Sequence, residues 1–427
     1  MERRTILIVI LIVALLVVAA GVVLFMSLTS DGSPEEAATE RRGNIFPFFG
    51  GLGDGDGDTT VGESGLSGDR EEGSSFPEGG ALPRFRKLWS EPVAGAAFAE
   101  NASGSTTVHF VERATGHVYE ASPTSTRTVR LTNTTIPKVQ EARFVSPDRI
   151  LVRYLRDDDT IETFAGTILP PPEPIGTSTE EAVGELSGQF LPVNILGVAS
   201  VGNSLFYLTS SGSGVRGIVS GFDGSGAREV FSSPVRDWIV ESVSGSTVAL
   251  TTKAAAGIPG HLFFLNTGSG TLTPVLANFE GLTTLVRDSL VLYAQHTSIV
   301  PSVFVYDRES DKTVSLPLST LSEKCAWGGG SAPVVLCAVP EGVTGETLPD
   351  AWYQGVAHTD DSVWEFDAST LSSRVVFDPS TYASGSFDLD SVSVSEDGRY
   401  AIMRNRPDGT LWLFELTTPS LPSPLDE

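Results

Sequence analysis

Five segments of the chain repeat one pattern, a short alternating strand followed by a polar turn and a second short strand. They are HVYEASPTSTRTVRL, VRGIVSGFDGSGAREVF, HLFFLNTGSGTLTPVL, SVFVYDRESDKTVSL and SVWEFDASTLSSRVVF. Each segment follows another alternating run, such as NSLFYLTS or DSLVLYAQ. Alternation of apolar and polar residues indicates β-strands, and no apolar stripe with helical spacing is apparent after Phe85. The pattern predicts an all-β domain built from repeated units.

Two less regular units complete the set. One contains RILVRYLRDDDTIETFAGTI, and the other is the terminal SVSVSEDGRYAIMRNRPDGTLWLFEL. Units of four short strands that recur roughly every 40 to 60 residues are typical of a β-propeller. We therefore predict a β-propeller with seven blades, and six or eight blades are the alternatives.

The last unit has three strands before the Pro-rich tail TPSLPSPLDE, so its outer strand is missing. An unpaired sheet edge must be protected, because it offers free backbone groups to other chains. The segment Phe85–Trp89 at the start of the domain is suited to fill this place. We predict that it joins the first blade to the last.

The amino-terminal segment has the character of a membrane anchor. Arg3 and Arg4 precede an uncharged apolar run over residues 5–28, which is long enough to cross a hydrocarbon core of about 30 Å. Cations before the span place residues 1–4 in the cytoplasm and the chain after residue 28 outside the cytoplasmic membrane. A cleaved signal peptide is the alternative, because Val18–Ala20 resembles a small-residue cleavage site.

Residues 29–85 are rich in Gly, Ser, Asp and Glu, and we predict a flexible acidic linker. We predict that the propeller extends over residues 86–418 and is followed by a tail over residues 419–427. A net charge of −25 argues against a nucleic-acid partner. Asp54, Asp56 and Asp58 in the linker have calcium-loop spacing, but the glycine and glutamate that such a loop needs are missing.

The terminal unit resembles the blades of TolB-like and WD40-like propellers at SEDGRY (395–400) and DGTLW (408–412). The stretch CAVPEGVTGETLPDAWYQGVAHTDDSVWEFD also resembles membrane-anchored propeller proteins of small-genome bacteria of the Parcubacteria type. This second resemblance extends over residues 85–420. It implies an anchored extracytoplasmic propeller and implies no activity.

Motifs of familiar enzymes are missing from the sequence, and we assign no catalytic residue and expect no metal or cofactor. There is no H-E-x-x-H pair, no G-x-S-x-G elbow and no G-x-x-x-x-G-K loop. The five histidines occur singly, with no pair at ligand spacing; they are His109, His117, His261, His296 and His358.

Two insertions interrupt the blade rhythm, LPPPEPIGTSTEEAVGELSGQFLP in the second unit and PEGVTGETLPDAWYQGVAHTD in the sixth. The sixth-unit insertion joins the second and third strands, and such loops share one face of a propeller. Trp352, Tyr353 and Gln354 would form a binding rim there, since aromatic rings dominate binding hot spots and stack on sugars. The alternative is that Trp352 packs inward and anchors the loop.

These features favour a binding or scaffold module for an envelope protein, a peptide or a glycan. The alternative is an enzyme of the lyase or glycosidase type with its site at the mouth of the central channel. Carboxylates, histidine or arginine gathered at one channel mouth would favour the enzyme. An aromatic, mobile rim would favour the binder.

The only cysteines, Cys325 and Cys337, lie in KCAWGGGSAPVVLCAVP. A hairpin that turns around Gly328–Gly330 sets them opposite each other, at a separation that a disulfide accepts. We predict an intrablade disulfide, with two reduced core cysteines as the alternative. A zinc site is disfavoured, because no histidine stands at matching spacing.

Overall fold

The computed structural model describes residues 82–101, 103–171, 183–296, 300–342, 347–378, 381 and 386–416. Within these residues the strands form seven four-stranded antiparallel sheets, each a blade of a β-propeller. The predicted all-β, seven-bladed fold is confirmed. The predicted anchor at residues 5–28, the linker up to residue 81, Asp54, Asp56 and Asp58, and the tail at 419–427 lie outside the described residues.

The blades follow one another along the chain, and blades 1 to 6 each run from the inner to the outer strand. Blade 1 contains β2 (Val93–Glu100), β3 (Thr106–Glu112), β4 (Val118–Ala121) and β5 (Thr128–Arg130). Blade 2 contains β6 (Val139–Ser146), β7 (Arg149–Leu155), β8 (Ile161–Leu169) and β9 (Glu185–Phe190). Blade 3 contains β10 (Ile195–Val201), β11 (Ser204–Ser211), β12 (Gly214–Gly221) and β13 (Arg228–Ser233). Blade 4 contains β14 (Trp238–Ser244), β15 (Thr247–Thr252), β16 (Pro259–Asn266) and β17 (Thr271–Glu280).

The remaining three blades complete the ring. Blade 5 contains β18 (Thr283–Arg287), β19 (Leu290–Gln295), β20 (Ser302–Asp307) and β21 (Lys312–Leu316). A short 3-10 helix, η1 (Ser322–Lys324), precedes blade 6, which contains β22 (Cys325–Trp327), β23 (Val334–Pro340), β24 (Asp361–Asp367) and β25 (Ser372–Phe377). Blade 7 contains β26 (Leu389–Val394), β27 (Tyr400–Asn405), β28 (Leu411–Glu415) and β1 (Phe85–Trp89).

The ring is closed by β1, as the sequence predicts. It pairs with β28 in antiparallel register, with Phe85 opposite Phe414. The Phe85 ring is buried against Phe377 and Trp412, at centroid distances of 4.2 and 4.6 Å. The first strand of the domain therefore covers the edge that the last unit leaves open.

The hydrophobic core is divided among the blade interfaces. Each pair of neighbouring blades encloses one cluster of buried side chains, contributed by the facing sides of the two sheets. Inner strands approach closely where residues are small: a Cβ added at Gly95 would lie 1.9 Å from the carbonyl oxygen of Ala142. Because each sheet packs against a neighbouring blade on both of its faces, most inner and middle strands lack a strictly polar face.

Two faces of the propeller follow from the strand order. The connections between second and third strands lie beside those between successive blades, as in the hydrogen bonds from Arg406 N to Asp388 O and from Asp361 N to Phe387 O. The sixth-unit insertion belongs to this face and carries a short helix, α1 (Asp350–Tyr353), so we call it the α1 face. β8 ends and β9 begins on the opposite face, and residues 172–182 of the second-unit insertion between them lie outside the described residues. None of the helices in the described ranges is long and apolar enough to cross a membrane.

The two cysteines are bonded in blade 6. Cys325 of β22 stands directly opposite Cys337 of β23, with a Cα separation of 4.0 Å. Both are buried in the core cluster between blades 5 and 6. The predicted intrablade disulfide is supported, and it joins the inner strand of blade 6 to the strand that leads into the insertion.

Candidate functional site

The sixth-unit insertion is anchored by Trp352 and Tyr353, the two aromatic residues that the sequence predicts in a binding rim. Trp352 is 1% exposed and Tyr353 is 7% exposed, and they pack with Leu321, Leu348 and other buried apolar residues beneath α1. Of the three rim candidates only Gln354 faces solvent. The alternative interpretation, in which Trp352 packs inward, describes its position. A binding role for the three residues stays a prediction.

A buried lysine holds this anchor to the ring. Lys324, at the end of η1, is 1% exposed and places Nζ 2.6 Å from Asp388 Oδ1 and 2.7 Å from Asp361 Oδ2. It also donates a hydrogen bond to Thr359 Oγ1 at 2.6 Å. We call Lys324, Thr359, Asp361 and Asp388 the lysine cluster. Lys324 and Asp388 directly precede β22 and β26, Thr359 lies at the end of the insertion, and Asp361 begins β24, so the cluster ties blade 6, blade 7 and the insertion together.

The two carboxyls of the lysine cluster differ in charge. Burial raises the pKa of Asp361 to about 6, although Lys324 opposes this shift, and the charge of Asp388 adds to it. Burial also acts against the charge of Asp388, but Lys324 and hydrogen bonds from Trp352 Nε1 and Thr359 Oγ1 keep its pKa below the usual value. Asp388 is the permanent anion, and Asp361 becomes neutral in mildly acidic solution.

Arginine side chains gather around the α1 ends of the inner strands of blades 2 and 7. Arg404 donates two hydrogen bonds to Asp390, at 2.8 and 2.7 Å. Glu141 accepts hydrogen bonds from both Arg143 and Arg153. Burial acts against the charge of Glu141, but the two guanidinium groups lower its pKa to about 2. The Arg143 side chain is 40% exposed and can therefore meet a ligand from solvent.

Carboxyl groups whose pKa is raised, in contrast to that of Glu141, lie on the side of blades 4 and 6. Glu241 of β14 accepts a hydrogen bond from Thr284 Oγ1 at 2.9 Å and one from Val286 N at 3.3 Å. Burial raises the pKa of Glu241 to about 7, and the charge of Glu323 raises it further. Burial likewise raises the pKa of Glu323, which accepts a hydrogen bond from the Tyr353 hydroxyl.

We call these residues the mouth network; its members are Glu141, Arg143, Arg153, Glu241, Glu323, Asp390 and Arg404. It is polarised, with guanidinium groups on one side and carboxyls of raised pKa on the other. The guanidinium side suits an anionic group, whereas a carboxyl that is neutral near pH 7 can donate a hydrogen bond or a proton. The sequence gives only a weak signal for this network, a charged residue within an inner strand, as in VQEARF and WIVES.

Aliphatic side chains are also exposed on the α1 face. Val356 of the insertion is 64% exposed, and Ile258, between β15 and β16, is 59% exposed. Val193 and Val235, which lie between successive blades, are exposed on the same face. We call these four residues the apolar arc. The first of them follows blade 2 and the last lies within blade 6, so the four residues are spread along more than half of the ring.

The histidines do not converge. His109 is paired with Glu120 at 3.1 Å, His117 contacts Thr135, and His358 lies 3.6 Å from Asp388 Oδ2 with half of its side chain exposed. His261 lies in β16, and the buried His296 follows β19. Across the described part of the chain, no group of three or more His, Cys, Asp or Glu residues is arranged to hold a metal ion.

No protein-family model matches the chain, and no curated protein matches it in sequence. Similar solved structures include oligogalacturonate lyase from Vibrio parahaemolyticus, with 8% identity, 78% of this chain and 93% of that chain covered, and a TM-score of 0.47. The WD40 domain of Neurospora crassa Pan2 has 9% identity, coverage of 78% and 98%, and a TM-score of 0.47. The extracellular domain of a putative one-component system from B. thetaiotaomicron has 10% identity, coverage of 77% and 40%, and a TM-score of 0.43. At these scores, nothing about the activity or ligands of those proteins carries over to this chain.

Proposed function

We propose that this protein is a membrane-anchored, extracytoplasmic binding or scaffold module that receives an envelope protein or peptide on its α1 face. A single amino-terminal span over residues 5–28 holds it to the cell membrane, with residues 1–4 in the cytoplasm. The acidic linker lets the propeller stand away from the bilayer. The resemblance of residues 337–367 to anchored propellers of the Parcubacteria type belongs to the same proposal.

One observation carries the binding role: the apolar arc and the mouth network occupy the same face. Exposed aliphatic groups beside charged groups are the composition of a protein interface, where apolar contacts supply affinity and charged groups supply register. The ring of blades and the buried lysine cluster hold this surface in place before a partner arrives, which lowers the entropy cost of binding. A glycan ligand is less favoured on this face, because Trp352 and Tyr353 are buried there.

An enzyme of the lyase or glycosidase type is the second candidate, and a specific observation favours it. Carboxyl and guanidinium groups do gather at one channel mouth, and the pKa of Glu241 is near the pH at which a general acid or base works best. The exposed Arg143 would then bind an acidic group of the substrate. Turnover by the unchanged protein that is lost in the Glu241→Gln variant would identify this second function.

The binding role is tested by recovering partners from native envelopes with the full-length protein after chemical cross-linking. We expect the double variant Ile258→Asp and Val356→Asp to lose the cross-linked partner that the unchanged protein recovers. The matched control is Leu371→Asp, because Leu371 is also 64% exposed but lies between β24 and β25 on the opposite face. Equal recovery by the double variant and the control would contradict the proposal.

A further inference from the structure

A polar cleft lies on the face opposite α1, at the seam where blade 1 meets blade 7. Its volume is about 650 Å³, within the range of small-ligand sites. One wall is the turn between β26 and β27, which carries Arg399. The other walls are two turns of blade 1, which contribute Ser105 and, between β4 and β5, Ser122, Thr124 and Arg127.

The acidic groups of this cleft are already used by the protein. Asp397 Oδ1 accepts hydrogen bonds from Ser395 Oγ at 2.6 Å and from Arg399 N at 3.0 Å, which fix its own turn. Glu120 Oε2 lies 3.1 Å from His109 Nε2, and the second nitrogen of that ring contacts Pro147 O at 3.0 Å. Both carboxylates therefore have partners within the fold.

The cationic groups of the cleft are not used in this way. Arg127 and Arg399 are exposed, and among the residues described neither guanidinium has a carboxylate or carbonyl partner. The Arg399 guanidinium lies 5.4 Å from the centre of the Tyr400 ring. The cleft thus presents two guanidinium groups and several hydroxyl groups to solvent. Such an excess of hydrogen-bond donors is complementary to a ligand rich in acceptors and negative charge.

One wall of the cleft is held in shape by the closing strand. Arg86 of β1 is 6% exposed and donates hydrogen bonds to the carbonyl oxygens of Ser122, Pro123 and Ser125, at 3.0, 2.7 and 3.2 Å. The backbone of this turn is therefore fixed from behind, while Ser122, Thr124 and Ser125 line the cleft. The site is complete only when β1 has closed the ring, so it is preorganised in the folded protein.

We propose that this seam cleft binds an oligosaccharide that carries carboxylate groups. Carboxylates match the two guanidinium groups in a bidentate manner, and sugar hydroxyls match the serine and threonine hydroxyls. A peptide or protein surface fits less well, because its affinity would need apolar contacts and Tyr400, the aromatic residue of the lining, is 5% exposed. The site is separate from the α1 face and does not depend on the function proposed for that face.

The test is isothermal titration calorimetry of the full-length protein in detergent at low salt. The probes are a short oligomer of mannuronic acid, the mannose oligomer of the same length and linkage, and inorganic phosphate. The two oligomers differ only in the carboxylate, so we expect the acidic one to bind and the neutral one to bind at least about tenfold more weakly. Equal affinity of the two oligomers, phosphate binding as tight as that of the acidic oligomer, or no binding of the acidic oligomer would each overturn the proposal.

Variants locate the binding. Arg127→Gln and Arg399→Gln should each weaken the acidic oligomer about tenfold, since each removes one charge-assisted contact. The control is Arg130→Gln, because Arg130 is exposed on β5 but does not line the cleft. All three changes are at exposed positions, and equal melting temperatures would show that the fold is intact. An unchanged affinity in both cleft variants would place the oligomer elsewhere and contradict the assignment.

Discussion

Replacement of Lys324 by methionine should destabilise the protein strongly at neutral pH. Methionine has a similar length and removes the ammonium group from two fully buried carboxyls, at 2.6 and 2.7 Å from Nζ. Breaking a buried ion pair by removing one partner costs about 3 to 5 kcal/mol, because the other charge stays buried without compensation. We expect a loss of this size in the free energy of unfolding, measured by urea titration and tryptophan fluorescence near pH 7.

The loss should depend on pH with a definite sign. Lys324 holds the pKa of Asp388 below its usual value, so this pair contributes stability above that value. Asp361, with a pKa of about 6, contributes stability in acid that is lost as the pH rises through 6. Without Lys324 both carboxyls become neutral more readily, and the difference from the unchanged protein should shrink as the pH falls towards about 5.

The matched control is Lys312→Met. Lys312 is exposed on β21 and has no ion-pair partner in the described structure, so its replacement should change stability by less than about 0.5 kcal/mol. A loss below about 1 kcal/mol for Lys324→Met at neutral pH would refute the assignment of a structural ion cluster. So would a loss that is the same near pH 7 and near pH 5.

Three further predictions concern the ring and the channel mouth. Phe85→Ala should cost about 3 to 5 kcal/mol in urea unfolding, because its buried ring closes the propeller, whereas Leu371→Ala on the surface should cost less than about 0.5 kcal/mol. The double variant Cys325→Ala and Cys337→Ala should lose roughly 2 to 4 kcal/mol, and two free thiols in the denatured, unreduced protein would contradict the bond. Stability linked to Glu241 is present below its usual pKa of 4.5 and is lost as the pH rises through about 7. The melting temperature of the Glu241→Gln variant should therefore depend less on pH between these two values than that of the unchanged protein.

The architecture is readable from the sequence because it rests on local patterns. Alternating runs and polar turns mark the hairpins, and the missing strand of the last unit points to Phe85–Trp89. The spacing of Cys325 and Cys337 around a glycine turn places them in register. The hairpins and the disulfide need only neighbouring residues and the two-residue period of a strand, whereas ring closure follows from counting the strands of the last unit.

The charged surroundings of the channel are not readable in this way. Lys324, Asp361 and Asp388 are far apart in sequence, and each resembles an ordinary polar residue next to a strand. Trp352 is of a residue type expected in a binding rim, but its indole Nε1 donates a hydrogen bond to the buried carboxylate of Asp388. That partner becomes visible only when blades 6 and 7 are placed side by side, because contacts between blades have no local signature in the sequence.

The most direct test of the binding role is site-specific photo-cross-linking in intact cells of the native host. A photoreactive amino acid at Gln354, which is exposed next to α1, should form a discrete adduct with an envelope protein or peptide. The same group at Glu309, exposed in the turn between β20 and β21 on the opposite face, should not form that adduct. An adduct at Glu309 alone, equal adducts at both positions, or none at Gln354 would contradict a binding surface on the α1 face.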